Sequence, residues 1–527
     1  MVFIVTLFII SLPISAYPAR SIPIKLAGYS FDPLTTAPQP RQRSAAQDGR
    51  GYYLLQFEGP IQPEWKEACR RAGVEFFDYI PEFAFIVRMG AGLIEKINDY
   101  PAVRWIGNYR EEYRISHQVR SLAGGRKADL EKEYIVVIFP GEDISHLKTE
   151  IRNLGGKILS RTSSKWKSKL KIKINAGLLE EVAALSGVKW IEEAPRWRLF
   201  NNKAREIVEA DSAWNNGNYF GSGQIIGVAD TGLDRGSTDP SLLLDDFEDG
   251  SGTSRVLSIS TSFSLLTTGA DYHGHGTHVS GSILGNGALS GAAPAAHSYP
   301  STCYAGIAPE ASLVFQSLGN LSAIPNDLNT LFAQAYGGGA RIHNNSWGSY
   351  GAGEYSSYSE DVDEFAYDNQ DFLIVFSAGN SGVDYNFDGV IDLYSVGPPA
   401  TAKNCIAVGA SENDRSNVST PTPGYNMTYA WYWPNSFPAY PISDSYLSSD
   451  PDGIAAFSSR GSQLAARWKP ELVAPGTNLI SCRTQAVEHS ASILWGTGGL
   501  TGAAADNYVF SGGTSMSAPV VSGSGAL

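Results

Sequence analysis

The chain has 527 residues, a length typical of several domains of about 150 residues each. Hydrophobic residues make up 43% and charged residues 18%, a composition that excludes disordered and fibrous proteins. The net charge of −13 is unevenly distributed, because residues 1–200 carry 29 Lys and Arg against 22 Asp and Glu, whereas the remainder carries 11 against 31. The acidity of the larger part argues against binding to nucleic acid and predicts that the two parts attract one another.

The chain begins with an apolar run from Val2 to Ile14 that ends at Ser15-Ala16. This pattern predicts a secretory signal peptide over residues 1–16, and therefore a secreted protein. No Lys or Arg precedes the run, which leaves an uncleaved anchor as the alternative. No later run reaches the about 18 apolar residues of a membrane helix, so no stable membrane span is expected in the mature form. Four cysteines are too few for a fold built on disulfides in a chain this long.

A polar stretch rich in Pro and Arg predicts a linker over residues 17–50. Two similar segments follow it, since residues 52–57 match 134–139 and residues 103–106 match 188–191. Between these ends each copy contains a helical stretch, a short strand, an apolar strand and a second helix. The order βαββαβ is that of a ferredoxin-like α+β module.

The sequence therefore predicts tandem modules over residues 51–115 and 134–200, joined by a linker over 116–133. Neither contains a set of catalytic residues, which favours a packaging or binding role. From residue 201 to 527 apolar strands alternate with helices and Gly-rich loops, the pattern of an α/β domain with a largely parallel sheet. Functional loops are expected at the carboxyl ends of its strands. The predicted strands are Ile225–Ala229, Ser312–Phe315, Ile342–Asn344, Phe372–Phe376 and Cys405–Gly409.

Two segments of this domain carry candidate acid and base side chains. Asp230 follows a predicted strand and precedes Thr231-Gly232, although an ordinary turn has the same pattern. His273, His275 and His278 lie close together at the start of a helix rich in small residues. A zinc site is the alternative interpretation, but no acidic or Cys ligand completes a known spacing. A general base accounts better for this segment.

A third segment, from Phe510 to Pro519, is a tight glycine turn that leads into a helix and contains Ser515. A serine at a helix N-terminus is usually a cap, yet the same position exposes its hydroxyl and directs backbone N–H groups at any oxyanion beside it. A hydroxyl becomes a nucleophile when a base takes its proton, and an imidazole does so when a third group orients it. Asp230, His275 and Ser515 supply these three roles.

These motifs resemble those of the subtilisin-like serine proteases, in the chain order Asp, His, Ser. The resemblance covers about residues 207–527 and implies a serine endopeptidase of subtilisin-like fold with Asp230, His275 and Ser515 as its triad. It also implies that Asn380, within a Ser-Ala-Gly-Asn-Ser-Gly segment, donates to the oxyanion. His273 and His278 have no role in this resemblance.

The resemblance further implies how substrates bind. The backbone of Ser346, Trp347 and Gly348 would pair with an extended protein or peptide substrate as an added strand. With Ala378 and Gly379 this segment would form the walls of the first specificity pocket. A preference for apolar or aromatic residues is expected there.

Members of this family usually carry an N-terminal propeptide of ferredoxin-like shape that assists folding and then blocks the active site. Here the second module, residues 134–200, occupies that place, so the resemblance implies a zymogen that is inhibited by its own propeptide. The opposite charges of the two parts favour such docking. Self-cleavage is expected in the connector of residues 196–205. The resemblance assigns no role to the first module.

The segment from Asp384 to Asp392 has the spacing of a calcium loop, with oxygen ligands at loop positions 1, 3, 5 and 9 and Gly at position 6. Position 12 is Ser395 where the bidentate Glu would stand, so a turn rich in Asx residues is the alternative. A structural calcium ion is the one cofactor considered, and no organic cofactor is expected. The candidate ligands are Asp384, Asn386, Asp388, Val390 and Asp392.

The sequence predicts a secreted serine endopeptidase precursor with an α/β catalytic domain preceded by two α+β modules. A catalytically silent member that binds through its modules is one alternative, and a processing enzyme selective for a few sequences is another. The chain ends twelve residues after Ser515, inside the predicted helix, and the catalytic domain is expected to continue beyond Leu527.

Overall fold

The computed structural model describes residues 21–26, 29–35, 49–116, 119–120, 131–194, 197–199, 207–319, 321, 324–351, 353–414, 428–461, 468–486, 494–497 and 500–527. The predicted signal peptide lies outside these ranges, as do most of the linker predicted over 116–133 and most of the connector. The chain divides into two compact units. The first contains residues up to 117 together with 183–186, and the second contains residues 118–182 and 187–527.

The first unit contains a four-stranded antiparallel sheet in the order β4-β5-β3-β6. Its apolar face packs against α1 and α2 around Leu55, Phe57 and Phe85. The elements of this unit are β1 (Ile24–Leu26), β2 (Tyr29–Phe31), β3 (Arg50–Phe57), α1 (Pro63–Arg71), β4 (Glu75–Ile80), β5 (Ala84–Gly90), α2 (Ile94–Asn98) and β6 (Val103–Asn108).

The structure differs from the linker predicted over residues 17–50. Two short strands, β1 and β2, pair antiparallel with each other within this range. Just after them, the buried Asp32 carboxylate forms an ion pair with Arg104 at 3.1 Å. The Pro-rich composition hid this pairing, because strands of three residues are too short to show an alternating pattern.

The second module belongs to the second unit and repeats the topology of the first. Its antiparallel sheet has the order β10-β7-β9-β8. When the strands of each module are counted from that module's own first strand, the two sheets have the same strand order. The first strand begins at Glu131, three residues before the predicted module boundary. The elements are β7 (Glu131–Ile138), α3 (Ile144–Asn153), β8 (Lys157–Ser163), β9 (Ser168–Asn175), α4 (Leu179–Ala183) and β10 (Val188–Glu193).

The rest of the second unit is built on a seven-stranded sheet in the order β13-β14-β12-β15-β17-β18-β19, and all its neighbouring strands are parallel. The five predicted strands form its centre. The strands are β12 (Ile225–Asp230), β13 (Val256–Ser260), β14 (Ser312–Ser317), β15 (Ile342–Asn345), β17 (Leu373–Ser377), β18 (Ile406–Ser411) and β19 (Leu472–Pro475). The predicted class, a parallel α/β domain preceded by two α+β modules, is confirmed.

Helices and two short antiparallel pairs surround this sheet. The strands β20 (Leu479–Cys482) and β21 (Tyr508–Ser511) form one pair, and β11 (Trp197–Leu199) and β16 (Trp347–Ser349) form the other. Within the described ranges, no helix combines the length and apolar character needed to cross a membrane. The helices are α5 (Ala210–Gly217), α6 (His275–Leu284), α7 (Leu328–Gly337), α8 (Ser357–Asp368), α9 (Tyr429–Tyr432), α10 (Ala503–Asn507) and α11 (Thr514–Ser524).

The second module shares a hydrophobic core with the helices that flank the large sheet. Ile135 and Val137 of β7 lie in one cluster with Phe332 of α7 and with Tyr358 and Phe365 of α8. Ile135 and Val137 are at most 1% exposed. The packed apolar surface joins the module sheet to α7 and α8.

Candidate active site

Asp230 and His275 meet in a buried hydrogen bond. Asp230 is the last residue of β12, and His275 is the first residue of α6. His275 Nδ1 lies 2.7 Å from Asp230 Oδ1, and the two side chains are 2% and 0% exposed. Because Nδ1 faces the carboxylate, Asp230 fixes the orientation of the imidazole ring.

Asp271 joins the strand that carries Asp230 to the helix that carries His275. Its Oδ1 accepts hydrogen bonds from Thr231 Oγ1 at 2.9 Å and from the backbone N–H of Gly274 at 2.8 Å. Its Oδ2 accepts from the N–H and the hydroxyl of Thr277 at 2.8 and 2.7 Å. Asp271 is fully buried. It thus satisfies backbone donors at the start of α6 that have no partner inside the helix.

Two glycines let α6 approach the end of β12. A Cβ atom at Gly276 would lie 2.2 Å from the carbonyl oxygen of Gly232 and 3.1 Å from Asp230 Cβ. A Cβ atom at Gly232 would lie 2.5 Å from the carbonyl oxygen of Ala270. The Asp-Thr-Gly and His-Gly-Thr motifs therefore need these glycines for a close backbone approach.

Ser515 lies in the first turn of α11, held by Ser346. Pro519 stands four residues after Ser515 and has no N–H, so the Ser515 carbonyl lacks its helical donor. The Ser346 hydroxyl donates to this carbonyl oxygen at 2.6 Å. In return, Ser515 Oγ donates to the Ser346 carbonyl oxygen at 2.6 Å. This reciprocal pair fixes the position of Ser515 relative to the residue that precedes β16.

Asn380 is oriented by the residue that precedes Ser515. Its Oδ1 accepts from the backbone N–H and from the hydroxyl of Thr514, both at 3.0 Å. Since the backbone N–H can only donate, the amide oxygen must face Thr514 and the amide NH₂ is directed elsewhere. The Thr514 hydroxyl is also the acceptor for the N–H of Gly379 at 3.1 Å. The Asn380 segment and the start of α11 are thereby fixed to one another.

The strand β16 presents its backbone to another chain segment. The Trp347 side chain is fully buried and donates from Nε1 to the carbonyl oxygen of Ala229 at 2.9 Å. A Cβ atom at Gly348 would have a single neighbour within 4 Å, the Pro398 carbonyl oxygen at 3.5 Å. In the structure β11 pairs antiparallel with β16. A strand of this protein's own chain therefore occupies the backbone predicted to bind substrate.

A family model described as the Subtilase family matches residues 221–527. The chain belongs to the subtilase family of serine proteases. A second family model, described as a domain of unknown function, matches residues 25–110. The predicted family and the predicted enzyme class, a serine-type endopeptidase, are confirmed.

Several curated relatives are similar to this subtilase. The serine protease/ABC transporter B family protein tagD of Dictyostelium discoideum is 25% identical over 563 residues, which cover 89% of this chain and 29% of that protein. Serine protease AprX of Bacillus subtilis is 24% identical over 339 residues, 62% of this chain and 61% of its own length. The chain thus spans less than a third of the length of tagD. The crystal structure of fervidolysin from Fervidobacterium pennivorans has 19% identity and a TM-score of 0.44, and the match covers 76% of this chain and 55% of that one.

The other two histidines of the cluster have different surroundings, since His273 packs edge-on against His275, with ring centroids 6.0 Å apart, and His278 contacts another segment. His278 is fully buried, with Nε2 3.1 Å from the carbonyl oxygen of Val509, and burial lowers its pKa to about 3. Burial and the neighbouring His275 also lower the pKa of His273. In the part of the chain that the structure describes, no three His, Cys, Asp or Glu side chains are arranged to hold a metal ion. The zinc alternative therefore has no support in the subtilase structure.

The candidate calcium loop is held by its own backbone. The Asp384 carboxylate accepts from the N–H groups of Asp388 and Gly389 at 3.1 and 2.9 Å. Asp392 Oδ2 accepts from the N–H of Tyr385 at 2.7 Å. In this arrangement the loop has the hydrogen bonds of an Asx turn, and a calcium site there stays a prediction.

The residues that form the charged contact between the second module and α8 were not predicted from the sequence. Lys167, which is 1% exposed, lies 3.0 Å from Glu360 and 3.3 Å from Asp361. Lys169 forms an ion pair with Asp361 at 2.6 Å, and Lys189 with Glu360 at 3.1 Å. We call these five side chains the buried charge cluster. Lys at every second position of the segment that contains Lys167 and Lys169 could have indicated the contact, because alternate residues of a strand lie on one face of the sheet.

Glu192 of the second module binds the N-terminus of α8. Its carboxylate accepts from the backbone N–H of Ser357 at 3.1 Å and from the Ser357 hydroxyl at 2.5 Å. Burial raises the pKa of Glu192, against the lowering effect of the Ser357 hydroxyl. A carboxylate at a helix N-terminus also interacts favourably with the helix dipole. The module thus supplies a cap to a helix of the catalytic domain.

No disulfide joins the four cysteines of the subtilase, all of which are described. Cys69, Cys303, Cys405 and Cys482 are each buried.

Proposed function

We propose that this subtilase hydrolyses peptide bonds through an acyl-enzyme on Ser515. His275 takes the Ser515 proton at Nε2 and later gives it to the leaving amine. Asp230 holds the imidazole in the required tautomer and stabilises its charged form. The observation that carries this proposal is the 2.7 Å contact between His275 Nδ1 and Asp230 Oδ1. In a member of a serine protease family, a buried carboxylate on Nδ1 has this orienting role.

We assign the oxyanion donors to Asn380 and to the Ser515 backbone N–H. Ser515 lies in the first turn of α11, where backbone N–H groups have no partner within the helix and the dipole favours negative charge. The Asn380 amide oxygen is held by Thr514, which supports donation from its NH₂ group to a tetrahedral intermediate. Such donors act because they are positioned before the negative charge forms.

We propose that substrates bind as a strand along Ser346, Trp347 and Gly348. The pairing of β11 with β16 supports this assignment, because it places a peptide strand on that backbone. Ala378 and Gly379 follow β17 and would form the other wall of the first specificity pocket. We expect apolar or aromatic side chains to be preferred there, and protein or peptide chains are the proposed substrates.

We propose that the chain is a zymogen and that its second module is the inhibitory propeptide. The shared hydrophobic core, the buried charge cluster and the Glu192 cap all support a module that stays docked on the catalytic domain. With β11 on the substrate strand, a docked module also blocks access for other peptides. Export remains a prediction from the N-terminal apolar run, and calcium remains an untested hypothesis.

The test is labelling of the purified full chain with a fluorophosphonate probe, followed by peptide mapping. We expect the label on Ser515 and its loss in Ser515→Ala. Substitutions His275→Ala and Asp230→Asn are expected to lower turnover by about 10⁴- to 10⁶-fold. A folded, processed sample that is neither labelled nor active would instead support the silent binding protein.

A further inference from the structure

Large apolar side chains are exposed to solvent in the loop that follows Asn380. Tyr385, Phe387 and Val390 are 65%, 64% and 63% exposed. Single apolar residues are common on protein surfaces, but several together within a few residues mark a surface that contacts something else. This loop is therefore a candidate binding surface, and it comes directly after the proposed oxyanion donor.

Hydrogen bonds and close packing hold the loop in a conformation that keeps these side chains in solvent. The Asp384 carboxylate accepts from the N–H groups of Asp388 and Gly389. A Cβ atom at Gly389 would lie 2.1 Å from the carbonyl oxygen of Tyr440, whose own side chain is exposed. Phe387 has a φ of 61°, in the left-handed region that bulky residues seldom adopt. Backbone strain that displays an aromatic ring to water points to a binding role for the ring.

Tyr350 connects this loop to the strand β16. It is the exposed residue directly after β16, and its backbone is fixed on both sides. The Ser349 N–H donates to the Pro398 carbonyl oxygen at 2.9 Å, and a Cβ atom at Gly351 would lie 2.2 Å from the Pro398 ring. A side-chain hydrogen bond with Tyr350 raises the pKa of Tyr385 to about 12. We call the side chains of Tyr350, Tyr385, Phe387 and Tyr440 the aromatic rim.

The pairing of β11 with β16 gives the direction of a chain bound on this strand. Trp197 lies opposite Ser349, and Leu199 lies opposite Trp347. The earlier residues of the paired chain therefore lie at the end of β16, and the later residues lie at its start. A substrate in the same orientation has its N-terminal side next to the aromatic rim.

The distance from the nucleophile to the rim follows from β16 itself. Ser346, directly before β16, accepts a hydrogen bond from Ser515 Oγ at 2.6 Å. Tyr350 stands four residues further along the chain, which is about 13 Å of extended strand. If the substrate carbonyl that Ser515 attacks lies opposite Ser346, the fifth residue before the cut bond lies opposite Tyr350.

The charge of the loop indicates what kind of partner the rim fits. Residues 384–394 contain three Asp and no Lys or Arg, and Asp388 is exposed. Protein surfaces that bind anionic membranes combine aromatic residues with Lys and Arg, so this composition favours a polypeptide over a lipid surface. The same carboxylates repel an acidic peptide.

We propose that the aromatic rim is an extended substrate site that selects apolar or aromatic residues at the fifth and sixth positions before the cut bond. This inference rests on the proposed function, because Ser515 defines the cut bond. Aromatic side chains of the substrate pack against the rings of Tyr385 and Phe387. The substrate class is extended protein segments that are rich in apolar residues over at least six positions and poor in acidic ones.

The first experiment compares two quenched fluorescent peptides on processed enzyme whose active sites have been titrated with a fluorophosphonate. Both carry Ala-Ala-Ala-Phe before the cut bond, and they differ only in having Phe-Phe or Ser-Ser at the fifth and sixth positions. We expect a KM about tenfold lower for the Phe-Phe peptide at the common bond, identified by mass spectrometry. KM values within twofold of each other would overturn the rim and leave the proposed protease function intact. A folded, processed enzyme that is neither labelled nor active on either peptide would contradict the proposed function itself.

The second experiment assigns the preference to the rim. Phe387→Ser and Tyr385→Ser are each expected to reduce the ratio of the two KM values from about tenfold to below about threefold, whereas Tyr385→Phe keeps the ring and the ratio. The control is Tyr219→Ser, because Tyr219 is an exposed aromatic residue outside the rim and its loss should leave the ratio unchanged. A ratio that persists in both Ser variants of the rim would overturn the assignment. Sedimentation with phosphatidylserine vesicles that Phe387→Ser abolishes, without any peptide preference, would replace the substrate site by a membrane surface.

Discussion

At the scale of single residues, the candidate active site depends on side chains that never meet a substrate. Asp271 accepts hydrogen bonds from Thr231, Gly274 and Thr277, and so joins the residue after Asp230 to the start of the helix of His275. The 2.7 Å contact between Asp230 and His275 is therefore set by a second carboxylate, that of Asp271. Fixing a catalytic pair in this way avoids reorganisation during the reaction.

We expect Asp271→Asn to lower kcat by about 10- to 10²-fold with little change in KM. The amide NH₂ would face donors on Thr277 or on Thr231 and Gly274, because both carboxylate oxygens of Asp271 accept hydrogen bonds. The helix would then shift relative to Asp230, whereas the substrate strand would not. Steady-state kinetics on a peptide substrate separate the two parameters.

The matched control for this prediction is Asp452→Asn. Asp452 is an exposed carboxylate of the same domain, and its loss should leave kcat unchanged. An Asp271→Asn enzyme with normal kcat would show that the carboxylate is not needed for positioning. A rise in KM alone would point to substrate binding instead.

At the scale of elements, two helices of the catalytic domain direct their N-termini toward the second module. Lys169 of β9 forms an ion pair with Asp361 of α8, and Asp361 also accepts from the backbone N–H of Leu328, the first residue of α7, at 3.1 Å. Glu192 of β10 caps α8. The lysines of the module thus bind acidic side chains of α8. The Glu192 carboxylate of the module binds a backbone N–H donor at the N-terminus of the same helix. Across the contact the lysines pair with carboxylates, and the Glu192 carboxylate accepts from the N–H and hydroxyl of Ser357.

We expect Lys167→Met to weaken the hold of the module on the catalytic domain by about 1–3 kcal/mol, because Glu360 and Asp361 each lose one of their two lysine partners. Lys167 is 1% exposed and lies 3.0 Å from Glu360. In the processed protein this change should appear as faster release of the module in size-exclusion chromatography and as higher basal activity. The exposed Lys157 on β8 offers a control, since Lys157→Met should change neither quantity.

The Asp384 loop offers a test of its two interpretations. Asp384 is buried and accepts two backbone N–H groups, whereas Asp388 is exposed and accepts from Val390 N–H. If hydrogen bonds alone hold the loop, Asp384→Ala should lower the free energy of unfolding by about 1–3 kcal/mol and Asp388→Ala by less. Calcium should then leave the Tm of every variant unchanged. A calcium-dependent rise in Tm of the parent protein that Asp384→Ala abolishes would establish the calcium site.

The pKa of Glu360 predicts how docking responds to acid. Burial would raise this pKa, but Lys189 and Lys167 outweigh it and lower the value from 4.5 to about 2 in the docked state. A carboxylate whose pKa is lowered in one state stabilises that state at pH values above the ordinary pKa. This stabilisation is lost as the pH falls toward the lowered pKa. The raised pKa of Glu192 acts in the opposite sense, since its protonation favours the docked state.

We therefore expect the processed module to stay bound from neutral pH down to about pH 4 and to be released between about pH 4 and pH 2. Chromatography of the processed protein over this range would measure the bound fraction. Glu360→Gln removes the titrating group and should flatten the response. Release that is complete at pH 6 would contradict the assigned role of Glu360.

At the scale of the whole molecule, the sequence predicts those parts of the fold that have a local pattern of residues. The two βαββαβ modules repeat one pattern, and four of the five central strands of the large sheet have apolar runs, whereas β15 contains the polar residues His343, Asn344 and Asn345. The edge strands were missed because serines interrupt the apolar residues of β13, and because the four residues of β19 are too few to form a pattern. The hairpin of β1 and β2 was missed because strands of three residues are too short to show an alternating pattern.

The prediction of the candidate site is limited in the same way, because the sequence shows local motifs but not long-range contacts. Motifs predict Asp230, His275 and Ser515 as site residues because each motif has a fixed local spacing of residues. The reciprocal bonds between Ser346 and Ser515 join residues 169 positions apart, and nothing in either segment indicates the other. The missing N–H of Pro519 predicts that the Ser515 carbonyl needs a donor, but not which residue supplies it. Long-range hydrogen bonds of this kind depend on the fold as a whole.

The distribution of charge over the whole molecule predicts two different responses to salt. Residues 134–200 carry 12 Lys and Arg against 7 Asp and Glu, and residues 201–527 carry 11 against 31. Exposed charges of opposite sign accelerate association, and salt screens them over about 10 Å at 0.1 M. The buried charge cluster is shielded from solvent, so salt should affect dissociation far less.

We expect the rate of recapture of the module to fall by about tenfold or more when salt rises from about 0.05 to 0.5 M, while its rate of dissociation changes by less than about twofold. Recapture can be followed as the loss of peptidase activity after a jump from acid back to neutral pH. Dissociation can be followed as the gain of activity on dilution. If salt accelerated dissociation as strongly as it slowed recapture, exposed charges would be what holds the module, and the buried Lys167 and Lys169 would contribute little.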